Sequence, residues 1–430
     1  TDAQCCKPRP TALRCEDCRW KKVKQDHAVK VKISLDVVRM AEIGDWASVL
    51  KRSQICVPQD IRHAIAVVLT SRPHADTELI MDVFERAVGR NSDVDFPIRR
   101  DGATALHVSV EEHNLEAVRA FLRRGCNPLV ANAMGETPLH SVARCGSSAA
   151  PLVASTLVEG VRVTFVNSTV HQANRAAARQ RLIEHQDAAG RSVLHLACVG
   201  DQRPLVDYLL QAGASSTVAD KSGQTPLHVA ALAGSAECVG LIVAQPGAAV
   251  DARVADETGR TALHLACSRG HWDVAAILLD HRADPRIVAK IGKEERHALN
   301  FLVEGMSQWG RTNGTAGVVD VARRLVERNV PKALVSVAGG ALCNVALWVT
   351  GDEEVVRATE SILHLLDGAG LDRSQALGSA MVSAVDAALT KGFVGDRRND
   401  SRLAQSQAAG ISFLEIPAAV ALALRLGAAA

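Results

Sequence analysis

Gly223-Gln224-Thr225-Pro226-Leu227-His228-Val229-Ala230-Ala231 is the stretch on which the fold turns. Thr225 is a good helix N-cap, because its hydroxyl can accept a hydrogen bond from an amide of the first turn. Pro226 fits the first helical position, where the missing N–H costs no internal bond. Leu227 opens a buried stripe. The His228 ring can reach the Thr225 hydroxyl and a neighbouring backbone group, locking the turn to whatever follows. Gly223, two residues ahead of the cap, suits a tight turn with positive φ.

The phrase recurs. Thr104-Ala105-Leu106-His107, Thr137-Pro138-Leu139-His140, Ser192-Val193-Leu194-His195 and Thr261-Ala262-Leu263-His264 repeat it, each with Gly two residues before the cap. The histidines are 33, 55, 33 and 36 residues apart. A period near 33 marks a repeat array. The 55 is one period plus a 22-residue insertion. After each phrase comes a second apolar run at helical spacing: Leu115, Val118 and Leu122; then Leu205, Tyr208 and Leu209; then Val274, Ile277 and Leu278. Gly125 and Gly213 follow two of these runs as helix stops. Each unit is therefore expected to be helix, turn, helix, then an extended hairpin to the next Gly.

In the Thr-Pro-Leu-His-x-Ala phrase, its preceding Gly and its period, the chain resembles the ankyrin repeat family. That resemblance implies an all-α solenoid of stacked helix-turn-helix units joined by β-hairpin loops. It covers residues 101–295 well, with an insertion near 161–185. Residues 33–100 and 296–430 read as degenerate repeats and caps, and residues 1–32 as a basic, cysteine-containing tail. Weaker copies are expected at His63-Ala64-Ile65-Ala66 with Leu79 to Val88, and at His297-Ala298-Leu299-Asn300 with Val319 to Glu327. Two more are expected at Cys343 to Val349 with Val355 to Leu366, and from Ala380 to Leu389. The expected total is nine or ten units, with end repeats degenerate because each cap faces water on one side.

Composition agrees with an elongated array. The chain has 430 residues but only 3% aromatics, so small aliphatic side chains must carry the packing. Lys plus Arg is 49 against 47 for Asp plus Glu, and that balance points away from nucleic acid and from acidic membranes. No apolar run reaches the length of a membrane span. Seven of the 11 cysteines are scattered singly through the repeats, in apolar contexts such as Leu196-Ala197-Cys198. They read as reduced thiols, hence a cytoplasmic or other reducing compartment. The chain begins at Thr1 rather than Met, which leaves room for a leading segment.

Chemistry-bearing motifs are absent: no nucleophile elbow, no P-loop, no metalloprotease helix and no dinucleotide fingerprint. No cofactor is expected, and the reading is not an enzyme. The repeated histidines read as structural. The sharpest alternative is a zinc site on Cys5, Cys6, Cys15, Cys18 and His27, since Cys15 and Cys18 have the spacing of half a structural site. That tail would then assist nucleic-acid binding. The stretch Lys7 to His27 is also similar to the cysteine-rich domain of palmitoyltransferases, but Ala28 and Val29 stand where its second His and catalytic Cys would be. The expected function is a protein-interaction scaffold, adaptor or structural subunit, or else the regulatory region of a larger enzyme or channel. By register with the family, the partner is expected on a concave surface of hairpin tips and first-helix faces. The tips are Asn132, Met134, Asp220, Lys221, Asp256 and Glu257. The first-helix candidates are Glu112, Arg144, Leu232 and Arg269. Arg175 and Arg179, four residues apart on the insertion, share a helix face and form a second candidate; the other reading of the insertion is a solvated excursion helix.

Overall fold

The computed structural model describes residues 94–164, 172–251, 258–292, 294–313, 317–328 and 353–369, with a few isolated positions besides. The chain divides into two compact units, residues 1–188 and 189–430. The division falls just past the insertion, inside the run of well-matched repeats.

The first unit holds α1 (Ala105–Glu111), α2 (Leu115–Arg124), α3 (Pro138–Cys145), α4 (Ala150–Thr164) and α5 (Gln172–Glu184). First helices pack on first helices (α1 on α3) and second on second (α2 on α4), and each pair is also in contact within its repeat. Asn114 caps α2 through its side-chain oxygen, which accepts from the Ala117 amide at 2.9 Å. Gly125 ends it in the left-handed region at φ 98°. Ahead of α1, Phe84 packs against Phe96 and edge-on to Phe121, with ring centres 5.6 and 4.8 Å away.

The second unit repeats the plan. Its helices are α6 (Val193–Val199), α7 (Arg203–Gln211), α8 (Pro226–Ala233), α9 (Ala236–Val243), α10 (Ala262–Ser268) and α11 (Trp272–Asp280). A short hairpin, β1 (Ala289–Ile291) and β2 (Glu294–Arg296), leads into α12 (Ala298–Asn313), α13 (Val318–Glu327) and α14 (Glu353–Gly368). First helices α6, α8, α10 and α12 stack in series, as do second helices α7, α9, α11 and α13. The hairpin pairs Ala289 with Arg296 in antiparallel register and turns at Gly292.

The recurring phrase is what fixes each layer. In every copy the cap residue's amide donates to Nδ1 of the histidine three places on, at 3.0–3.2 Å. Nδ1 is therefore an acceptor, and the ring's proton sits on Nε2. That Nε2–H donates to the next hairpin: His107 to the Glu136 carbonyl at 2.9 Å, His195 to Gln224 and His264 to Ile287, each at 3.0 Å. The ring thus closes its own turn and ties it to the following repeat. The degenerate copy keeps half of this. His297 stands at the cap, and Asn300 in the histidine's place accepts the His297 amide through Oδ1 at 3.2 Å. Asn300 thus serves the cap as the histidine does in the strong copies.

Glycine ahead of the cap is needed twice over. At Gly135 φ is +74°, and a Cβ there would lie 2.7 Å from the Ala188 amide nitrogen. The same close approach recurs at Gly190 against Lys221. Adjacent hairpins are joined by one backbone bond each, as from Ala188 N to Met134 O at 2.9 Å and from Lys221 N to Ala189 O at 3.0 Å.

The insertion departs from the expected solvated excursion. Val153, Ala154, Leu157, Val158 and Val161 of α4 are buried, and so are Ala178, Leu182 and Ile183 of α5. Helix α5 packs along α4. Its one apolar cluster lies near its C-terminal end, so a sequence dominated by Ala, Arg and Gln still docks. Of the weaker copies, α13 and α14 stand where the second helices were expected. His63 to Ala66, Cys343 to Val349 and Ala380 to Leu389 lie outside the described residues, as do Cys5, Cys6, Cys15, Cys18 and His27.

Candidate functional site

The first helices bury one face completely and leave another open. Counting the capping Thr or Ser as zero, the fifth and sixth residues are buried in every strong copy: Ser109 and Val110, Val142 and Ala143, Ala197 and Cys198, Ala230 and Ala231, Ala266 and Cys267. The seventh is left uncovered to some degree. It is Glu111, Arg144, Val199, Leu232 and Ser268 in turn. Which side chains stand there differs between the two units.

In the first unit these side chains bind each other. Glu111 accepts from Arg99 at 2.5 Å and from Arg144 at 2.9 Å; Arg144 also reaches Glu136 at 3.0 Å. Asn132 donates its side-chain amide to Glu136 at 3.1 Å. A predicted contact residue, Arg144, is therefore half-exposed yet holds two carboxylates of its own chain. Asn132 likewise serves its own hairpin: its Oδ1 accepts from the Met134 and Glu136 amides, both at 2.9 Å. Asp220 does the same for Ser222 and Gln224 at 2.8 and 2.9 Å. Both side chains build the tip rather than decorate it. Met134, by contrast, is 59% exposed, and Lys221 is exposed at the equivalent tip. Glu112 is half-buried at the C-cap of α1. Arg179 is half-buried, and its Nε meets no hydrogen-bond partner; Arg175 lies on α5 with it, its side chain outside the described set. Asp256 and Glu257 also lie outside it.

The second unit differs. Val199 is 57% exposed, and Leu196, Val229 and Leu232 are half-buried. Leu196 and Val199 are three apart on α6, and Val229 and Leu232 hold the same places on α8, so each pair shares a helix face. Helices α6 and α8 pack side by side. The bond from Arg144 to Glu111 shows that seventh-place side chains of neighbouring repeats come within reach of each other. The four aliphatic side chains therefore stand on neighbouring first helices, and Lys221 and Arg269 are exposed. Leu232 and Arg269 were named from sequence as contact candidates; Val199, Leu196 and Val229 were not. Counting from the cap in every copy would have found them.

The histidines offer no chemistry here. Burial holds the His264 ring down to about 4 and lowers His107, so both stay neutral inside their turns. Among the described residues no group of three or more His, Cys, Asp or Glu is placed to hold a metal ion. The thiols of Cys126, Cys145, Cys198, Cys238 and Cys267 are unbridged. Burial pushes Cys238 and Cys267 up to about 12. No described helix is long and apolar enough to cross a membrane.

The sequence is similar to parts of known proteins. The sequence is 27% identical over 142 residues to human transient receptor potential cation channel subfamily A member 1, covering 33% of this chain and 11% of the channel. It is 34% identical over 140 residues to E3 ubiquitin-protein ligase KEG of Arabidopsis thaliana, covering 32% and 8%. It is 27% identical over 170 residues to target of rapamycin complex 2 subunit AVO2 of Saccharomyces cerevisiae, covering 35% and 39%. The match thus spans well under half the length of each. The crystal structure of the ankyrin repeat domain of Bcl-3 is similar at 22% identity and a TM-score of 0.42, covering 60% of this chain and 99% of that one. The family profile for ankyrin repeats (3 copies) matches residues 77–167, 170–254 and 194–289. With its capped, histidine-locked turns and stacked helix pairs, the chain belongs to the ankyrin repeat family.

Proposed function

We propose that the chain is a non-enzymatic scaffold or adaptor, and that a protein partner docks on the first-helix face over Leu196, Val199, Val229 and Leu232. Ankyrin repeats are protein-interaction modules in general. The observation that carries the assignment to this face is Val199, an aliphatic side chain more than half exposed on the helix beside Leu232. Apolar side chains grouped on a rigid element and rimmed by charge are how small binding centres are built. The exposed first-helix places of the first unit are charged and already paired, which makes them a poorer anchor. Buried, unbridged thiols suit a reducing compartment.

A second reading has a specific observation behind it. Two of the relatives are named as a cation channel and a ubiquitin-protein ligase, and the match covers 11% and 8% of them. On that reading the repeats are the regulatory, partner-reading region of a larger protein. Both readings use the same face.

The test is affinity capture with mass spectrometry on wild type, Val199→Glu and Leu232→Glu, with unchanged circular dichroism as the entry condition. The partner captured by wild type should be absent from both variants and retained by an Arg175→Glu, Arg179→Glu double variant. The reverse pattern would make α5 the binding element.

A further inference from the structure

We infer that His185 makes the docking of α5 pH-dependent: in mild acid, a proton taken up by its ring releases the insertion helix from α4 and uncovers Leu182 and Ile183.

The repeat register shows this side chain to be out of place. Seven residues ahead of the cap, three of the strong copies carry valine: Val130, Val218 and Val254. The first copy carries Pro97. In the copy that follows the insertion the place is filled by His185. Valine needs only contact there. Imidazole brings two ring nitrogens that need partners, and it takes up a proton close to neutral pH.

The surroundings do not meet that need. His185 directly follows α5 and is half-buried. Its Nδ1 is shut from solvent and meets no hydrogen-bond partner among the described residues. Its ring stands edge-on to that of His140, with centres 5.7 Å apart. His140 is fully buried, and its own Nδ1 is engaged by the Thr137 amide at 3.2 Å.

The charges nearby do not reverse this. Burial holds the His185 ring below the ordinary imidazole value, and the Asp187 carboxylate on the same hairpin opposes it only in part. Of the other charged groups on the helices packed there, Glu159 of α4 and Arg181 and Glu184 of α5 are exposed, and Arg179 is half-buried. Glu184 accepts from the Gln180 side chain at 2.6 Å. Arg144 of α3 is held by Glu111 and Glu136.

Protonation would set a second N–H where no acceptor stands. The docked form resists the proton and the released form does not. Release is therefore least favourable above about pH 6.5 and gains steadily as pH falls below it. The ring lies two residues beyond buried Ile183, so it cannot leave its place without unseating the apolar cluster that anchors α5.

The test is hydrogen exchange on the full chain, read by mass spectrometry at about pH 7.5 and about pH 5.5 and corrected for the intrinsic rate. Protection of α5 peptides should fall roughly three- to tenfold in wild type between the two conditions. His185→Val, which restores the side chain of the other repeats, should hold it constant. His185→Gln, polar but unable to titrate in this range, should do the same and serves alone if the valine variant misfolds. Loss of α5 protection in acid that is as large in these variants as in wild type would assign the effect to another group and overturn the inference. Unchanged α5 protection in wild type at the lower pH would overturn it too.

Discussion

A single histidine in each strong copy does two jobs, and the first depends on its being neutral. Nδ1 must accept the cap amide and Nε2–H must donate to the next hairpin. Protonation would put a second N–H against the cap amide and remove the acceptor. For His264 the folded value is held near 4 by burial, below the ordinary value of an exposed ring. The unfolded chain therefore takes up the proton first. The resulting stability is complete above about pH 6.5, declines as pH falls toward about 4, and changes no further below it. The gap corresponds to about 3 kcal/mol, and urea melts across that window should show the loss. His264→Asn should flatten it, since Asn300 shows that an amide oxygen can serve the cap. It should also lower stability at neutral pH through the lost bond to Ile287. At the cap itself, Thr225→Ala should cost about 1 kcal/mol. Leu227→Ala, which empties a buried site in the same turn, should cost roughly 2–5 kcal/mol. Equal midpoints for these two variants and wild type would contradict the repeat register.

Helix against helix, the spacing of the stack is set by residues too small to be noticed as core. Gly305 in α12 faces α10 so closely that a Cβ would lie 2.0 Å from the Cys267 carbonyl oxygen. Backbone cannot yield as a side chain can, so Gly305→Ala must push two first helices apart. A loss of at least about 1–3 kcal/mol is expected in chemical denaturation. Gly240 in α9 is the control: nothing lies within 4 Å of an added Cβ. Gly240→Ala should raise stability by about 0.5–1 kcal/mol through helix propensity alone. A destabilised Gly240→Ala would place α9 against something it does not touch here. The insertion belongs at this scale too. Its Leu182 and Ile183 look unremarkable in a run of Ala, Arg and Gln, and only packing along α4 shows that they anchor a helix.

At the level of the whole chain, stacking distributes the cysteines over successive layers and buries them. Cys198, Cys238 and Cys267 have no accessible thiol and are pushed well toward the protonated form. A buried, protonated thiol is inert. Native protein treated with iodoacetamide should therefore label at half-exposed Cys145 well before those three. After unfolding without reductant, peptide mapping should find Cys126, Cys145, Cys198, Cys238 and Cys267 all modified. A disulfide between any two of them, or rapid native labelling of Cys198, would show that the layers are not packed as described. The same layering decides which surface is available. Every strong copy carries an uncovered seventh place, but charge pairing occupies it on α1 and α3 and an aliphatic side chain stands there on α6 and α8.

By itself the sequence determined the local units. The capping Thr, the histidine three places on and the glycine two places before act within one turn, so their spacing is enough to read them. The family, the helix pairs from Ala105 to Asp280 and the reduced cysteines follow from that local grammar. Tertiary structure decided what the remaining side chains are for. Arg144 and Asn132 look like free contact residues in the linear chain, yet one is held by carboxylates from two repeats and the other by its own hairpin amides. Val199 looks like one more core aliphatic, yet it is more than half exposed. The physical reason is the same in each case: whether a side chain is paired, buried or offered to a partner depends on what the neighbouring layer places opposite it. That neighbour is about 33 residues away in sequence and a few ångströms away in space.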